Sequence, residues 1–271
     1  MVKKLLKQEY NYYIRTLVFI LPVVLLLGIS NRFVQLFEFD HSIYYMIYGL
    51  SVMLLFVASI AAIIATEVLA IVRFYKNMYS AEGYLTFTLP VSNHQHIISK
   101  LIAHIVSMTA TVIVVAVAWL IAFSGVDAFA EIFPELAELF KQIYSGEFIW
   151  DAIFITLEII VIYVFSAISS PLLYYACISI GQLAKKNRIL LAIAAYYIYN
   201  MIVQVLATIF GIFIVILGTL GVFESLAPII ENNPIAVIHV ILCASIVLFA
   251  GLAALFYYIN IRIMNNKLNL E

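Results

Sequence analysis

Long apolar runs alternate with short polar stretches along this chain. The apolar runs fall at about 16–36, 44–71, 98–124, 152–181, 189–222 and 235–261. Each reaches the ~20 residues that a helix needs to cross a bilayer. A run of that length with few charges satisfies its backbone polar groups in hydrocarbon by forming a helix. The pattern therefore predicts an all-α polytopic membrane protein, with six spans in a single transmembrane domain covering 1–271. The fifth run is too long for one straight crossing, so it is expected to tilt, kink or extend past the membrane. The first run follows a basic start and lacks a small-residue cleavage site, so it reads as a retained span.

Between the runs, two patterns are amphipathic. Over 2–15, Val2, Leu5, Leu6 and Tyr13 fall on one side of a helix, and Lys3, Lys4, Lys7, Asn11 and Arg15 on the other. This predicts an N-terminal helix lying on the membrane surface. Over 125–151, Phe129, Ile132, Phe133, Leu136, Leu139, Phe140 and Ile143 recur at helical spacing opposite Asp127, Glu131, Glu135 and Glu138. That is an acidic amphipathic helix, expected to act as a structural lid.

Composition agrees with the membrane reading. The chain is 66% hydrophobic and 11% charged, where a soluble domain carries about 25% charged residues. Its net charge of −1 says nothing about a partner, and no nucleic-acid partner is expected. The distribution of charge sets an orientation. With the N-terminus inside, Lys3, Lys4, Lys7, Arg15, Arg73, Lys76, Lys100, Lys185, Lys186, Arg188, Arg262 and Lys267 face the cytoplasm, and only Arg32 and Lys141 lie outside. Both termini are thus expected to be cytoplasmic. Cys177 and Cys243 fall at different depths and are expected to stay unbonded.

Catalytic signatures are missing. There is no G-x-x-x-x-G-K-[ST] phosphate loop and no H-E-x-x-H, and Ser169-Ser170-Pro171 lacks the glycines of a nucleophile turn. His94-Gln95-His96 places two imidazoles at i and i+2, which point apart on a helix, so no metal site is expected there. The cytoplasmic stretch from Arg73 to about Ser99 is more informative. Polar residues open it, an apolar-aromatic run from Tyr84 to Leu89 follows, and Pro90 stops that run. Ser92 then begins a new helix, with Gln95 at capping-box spacing. The result is a short apolar helix between spans two and three. Spacing alone leaves two occupants for its apolar face, a docking partner or the chain's own helices and lipid.

The segment E-G-Y-L-T-F-T-L-P-V-S, at Glu82 to Ser92, resembles the signature of ABC-transporter permeases of the type-2 exporter class. The six spans, the N-terminal surface helix and the two inside termini resemble that family over essentially the whole chain. The stretch between Gly83 and Pro90 is shorter than the commoner family pattern and is similar to a branch from low-GC Gram-positive bacteria. The resemblance implies that Glu82, Gly83, Tyr84, Leu85, Phe87, Leu89 and Pro90 form a coupling helix that docks in a groove of a separate cytoplasmic ATPase. It also implies a second permease subunit, the same or related, in a bacterial cytoplasmic membrane. ATP and magnesium would bind the ATPase, leaving this chain with no cofactor and no enzymatic activity.

Polar residues within spans need partners. Asn200, Gln204 and Thr208 are spaced by four, with Gly211 beyond, and together with Glu158 are candidates for a subunit interface or a substrate path. Lys100, His104, Ser107 and Thr111 form a similar stripe on span three, where Ser107 and Thr111 are expected to bond between helices. Glu67 lies toward the inner end of span two. Glu158 is expected to face protein, pairing with Asn200 or Gln204. The expected function is the permease subunit of an ATP-driven exporter. The alternatives are an ATPase-independent secondary transporter or channel, and an intramembrane enzyme or immunity-type membrane protein.

Overall fold

The structure is a computed structural model that describes residues 2–37, 42–88, 90–124, 134–135, 137–141, 149–222, 224, 227–228 and 232–266. Among them the regular structure is helical throughout, with no strand. The main helices are α1 (Val2–Gln35), α2 (Ser42–Tyr79), α3 (Ala81–Thr88), α4 (Asn93–Phe123), α5 (Ile149–Gly181), α6 (Arg188–Thr219) and α7 (Pro234–Asn266). All but α3 are long and apolar enough to cross a membrane, the architecture of a multi-pass membrane protein. Most of the acidic amphipathic segment at 125–151 lies outside the described residues, although 134–135 and 137–141 are helical.

Two boundaries differ from the sequence reading. The N-terminal amphipathic segment is not separated from the first span, because α1 is continuous from Val2 to Gln35. Glu9, Tyr13 and Leu17 are buried at spacings of four, so one face of the helix packs without a break. The second span also does not end near 71. It runs on to Tyr79, because Ala70, Phe74, Asn77 and Met78 keep the buried face in phase while Arg73 and Lys76 fit around it. The fifth run forms a single 32-residue helix. At about 1.5 Å per residue it exceeds the ~30 Å hydrocarbon core, so it tilts or extends beyond it.

The chain divides into two compact units, Met1–Ile143 and Tyr144–Glu271. In the first unit α1, α2 and α4 pack around Val24, Leu55, Ala62, Ala118 and Ala122. Small residues set the closeness of this packing. A Cβ on Gly28 would meet the Ala118 carbonyl oxygen at 2.6 Å, so α1 and α4 approach backbone to backbone. A second cluster of Tyr13, Leu17, Ala70 and Ala103 lies nearer the α1 start.

In the second unit α5 packs against both α6 and α7. A tight turn joins α5 to α6 at Asn187, whose φ of 57° is left-handed. There a Cβ on Gly181 would meet the Arg188 carbonyl oxygen at 2.6 Å. Between α5 and α7, buried Asn260 accepts from the Ser179 hydroxyl at 2.9 Å and donates to the Leu172 and Phe256 carbonyls.

Candidate functional site

The short helix α3 and the helix ends around it form a bonded polar assembly in the first unit. Only Ser80 separates α2 from α3. The Ser80 hydroxyl donates back to the Lys76 carbonyl, and the Gly83 amide donates to the Ser80 carbonyl at 2.8 Å. Gly83 is buried against the end of α2, where a Cβ would lie 2.7 Å from the Met78 carbonyl oxygen. Any larger residue would push α3 away. Thr86 is also buried, and its hydroxyl donates to the Glu82 carbonyl at 3.0 Å.

The opposite side of α3 is bare. Tyr84 and Leu85 are each 68% exposed. Phe87 is half-buried and Pro90 exposed, while Leu89 lies outside the described residues. Beyond Pro90, Ser92 accepts from the Gln95 amide and the Gln95 side chain accepts from the Ser92 amide, completing the expected capping box.

Arg73 joins α3 to the interior. Its guanidinium lies 3.9 Å from the Glu82 carboxylate and donates to Glu9 at 2.8 Å. Glu9 also accepts from the Lys100 ammonium at 2.7 Å, and Lys100 donates to the Asn77 side-chain oxygen at 2.7 Å. Glu9 and Lys100 are both buried. A buried carboxylate shared by two cations is strongly held, because losing either partner leaves an uncompensated charge. The network thus binds α1, α2 and α4 together at the level of α3.

The sequence pattern gives Glu9 and Asn77 no role and Arg73 only a cytoplasmic placement. The signal for Glu9 was present: it is four residues from both Leu5 and Tyr13, on the apolar side of an otherwise basic amphipathic helix. The sequence pattern places Lys100 among the cytoplasmic basic residues and at the lower end of a polar stripe, without a partner. That stripe is buried along its length at Lys100, His104, Ser107 and Thr111. Thr111 meets Thr66 of α2 at 3.0 Å, an interhelix bond of the kind expected. The Ser107 hydroxyl makes no such bond among the described residues. His104 lies 3.7 Å from Glu67.

In the second unit Glu158 does not pair with Asn200 or Gln204. Its carboxylate meets the His239 ring nitrogen of α7 at 2.9 Å, and the Cys243 thiol lies 3.6 Å away. The reason is helix neighbourhood: this face of α5 turns to α7. Asn200, Gln204 and Thr208 are all exposed on α6. Asn200 donates to the Tyr196 carbonyl and Thr208 to the Gln204 carbonyl, one turn back on the same helix. His94 is exposed and His96 buried, as their spacing dictates. Among the described residues no three of His, Cys, Asp and Glu gather as metal ligands.

No protein-family model, curated protein or solved structure matches this chain.

Proposed function

We propose that this chain is the membrane-spanning permease subunit of an ATP-driven exporter, of the ABC type-2 class that its cytoplasmic motif resembles. It pairs with a second permease subunit, the same or related, and couples to a separate cytoplasmic ATPase that binds ATP and magnesium. The chain itself performs no hydrolysis. Its proposed setting is a bacterial cytoplasmic membrane with both termini inside, supported by the placement of twelve of its fourteen basic residues. Asn200, Gln204 and Thr208, exposed on α6, are proposed to line a subunit interface or the substrate path.

The observation that carries this reading is the two-sidedness of α3. One side is seated on α2 at Gly83 and buries Thr86, while Tyr84 and Leu85 stand exposed on the other. An exposed aromatic–aliphatic pair on a short, firmly mounted helix suits a docking role. The Arg73–Glu9–Lys100 network gives a displacement of α3 a direct route into α1 and α4.

The test is the double variant Leu85→Asp with Leu89→Asp, expressed in the native host. The permease should insert normally, while the ATPase that co-purifies with it falls at least about ten-fold, as expected when two charges enter an apolar groove. Retention of the ATPase together with wild-type transport would overturn the coupling role.

One observation favours the second reading, an ATPase-independent transporter. Glu158 and His239 form a titratable pair between two spanning helices, and such pairs mark ion pathways in membranes. Proton-driven transport by the purified chain alone in liposomes would establish that reading.

A further inference from the structure

We propose that a basic cavity at the start of α1 binds the headgroup of an anionic phospholipid. The cavity has a volume of about 400 Å³. Lys4, Lys7 and Arg15 of α1 line it, with Arg73 of α2 across from them and Gln8 and Asn11 as neutral hydrogen-bond donors. No carboxylate is among its lining residues. Glu9, on the same helix, is turned away into the interior, where Arg73 and Lys100 hold it. Among the described residues Lys4, Lys7 and Arg15 form no ion pair, so three cations face the cavity without a counter-charge. Arg73 is fixed there by Glu9 and by stacking over the Tyr12 ring at 4.9 Å.

Two features select a lipid over a free anion. The basic stripe lies at the start of a helix apolar enough to span, so the cavity sits where headgroup phosphates would be. The same helical face continues past Arg15 into exposed apolar residues. Val18 and Phe19 come one turn later, and Leu26 follows two turns further on. A phosphate held by Lys4, Lys7 and Arg15 would leave its acyl chains lying along that apolar face. Basic residues at a membrane surface favour anionic over zwitterionic lipids in this way. Arg73 is shared with the route from α3, but Lys4, Lys7 and Arg15 take no part in it.

The experiment uses the full chain purified in neutral detergent. Retained phosphatidylglycerol and phosphatidylcholine are counted by native mass spectrometry. Lys4→Gln, Lys7→Gln and Arg15→Gln are combined in one variant; all three side chains are exposed, so the fold does not depend on them. Retention of phosphatidylglycerol should fall about ten-fold or more, on the scale expected for three surface cations. Phosphatidylcholine should be unaffected. A variant that keeps the charges, Lys4→Arg with Lys7→Arg and Arg15→Lys, should retain phosphatidylglycerol. A charge-matched control, Lys185→Gln with Lys186→Gln and Arg188→Gln, should stay within about two-fold of wild type. The proposal is overturned if the first variant stays within about two-fold of wild type. It is equally overturned if the control falls as far, which means unspecific charge attraction, or if inorganic phosphate displaces the lipid, which means a free-anion site.

Discussion

The first unit and helix α6 of the second handle polar groups within apolar helices in opposite ways, although α5 and α7 of the second do share the Ser179–Asn260 and Glu158–His239 pairs. In the first, polar side chains turn inward and meet side chains from other helices. Glu9 reaches Arg73 and Lys100, Thr66 reaches Thr111, and the Trp119 indole donates to Ser59. In the second, α6 has no buried residue, and its polar side chains bond back onto their own helix at Tyr196 and Gln204. A polar stripe on a span therefore does not by itself imply a facing partner. Asn and Thr can satisfy themselves one turn back, whereas a buried lysine or carboxylate cannot. The ionic groups are what fix neighbours, and the first unit has more of them inside.

This contrast predicts unequal responses to losing one charged partner. Glu9→Ala leaves Lys100 buried with only Asn77 as a strong acceptor, and should destabilise the chain by about 3–5 kcal/mol. Unfolding in detergent by titrated SDS measures this. Glu9→Met combined with Lys100→Met should recover much of the loss, because the buried Lys100 charge goes with its partner and Arg73 keeps Glu82 at 3.9 Å. A single variant as stable as wild type would show that the network does not hold α1, α2 and α4 together.

The corresponding change in the second unit is His239→Ala. Glu158 and His239 are only partly buried, so the loss should be smaller, about 1–2 kcal/mol by the same assay. A loss equal to that of Glu9→Ala would erase the contrast between the units.

A further comparison separates two glycines, and the smallest effect of all is expected at Gly211. Gly28→Ala would push a methyl group against the Ala118 backbone and should cost about 1–3 kcal/mol. Gly211 has open space around its Cβ position, so Gly211→Ala should be neutral or stabilise by up to about 1 kcal/mol through helix propensity. The reverse order would mean that α6, not α1, is the closely packed helix.

Hydropathy made the six long helices legible, because hydrocarbon leaves an apolar run no other regular conformation. The start of α4 was legible because Ser92 and Gln95 carry a cap in their side chains, and the end of α3 because Pro90 stops a helix. The extension of α2 to Tyr79 was not. Arg73 and Lys76 look like loop residues until one sees that Phe74, Asn77 and Met78 continue the buried phase. Partner choice was hidden for a different reason. Periodicity gives the face of a helix but not its neighbour, so Glu158 was matched to α6 when α7 with His239 lies beside it. The Glu9 network needed three segments far apart in sequence to be brought together, which no local pattern encodes.

The unbroken length of α2 has a mechanical consequence. Its 38 residues make a rod of about 57 Å at the usual rise per residue. With Gly83 seated on its end, α3 is mounted on that rod with little slack. A load on α3 would tilt the whole shaft instead of bending a joint. A tilt of about 5° would carry the far end, near Ser42, sideways by about 5 Å, close to the axial rise of one helical turn. The arm is long because the helix does not stop where its apolar run does.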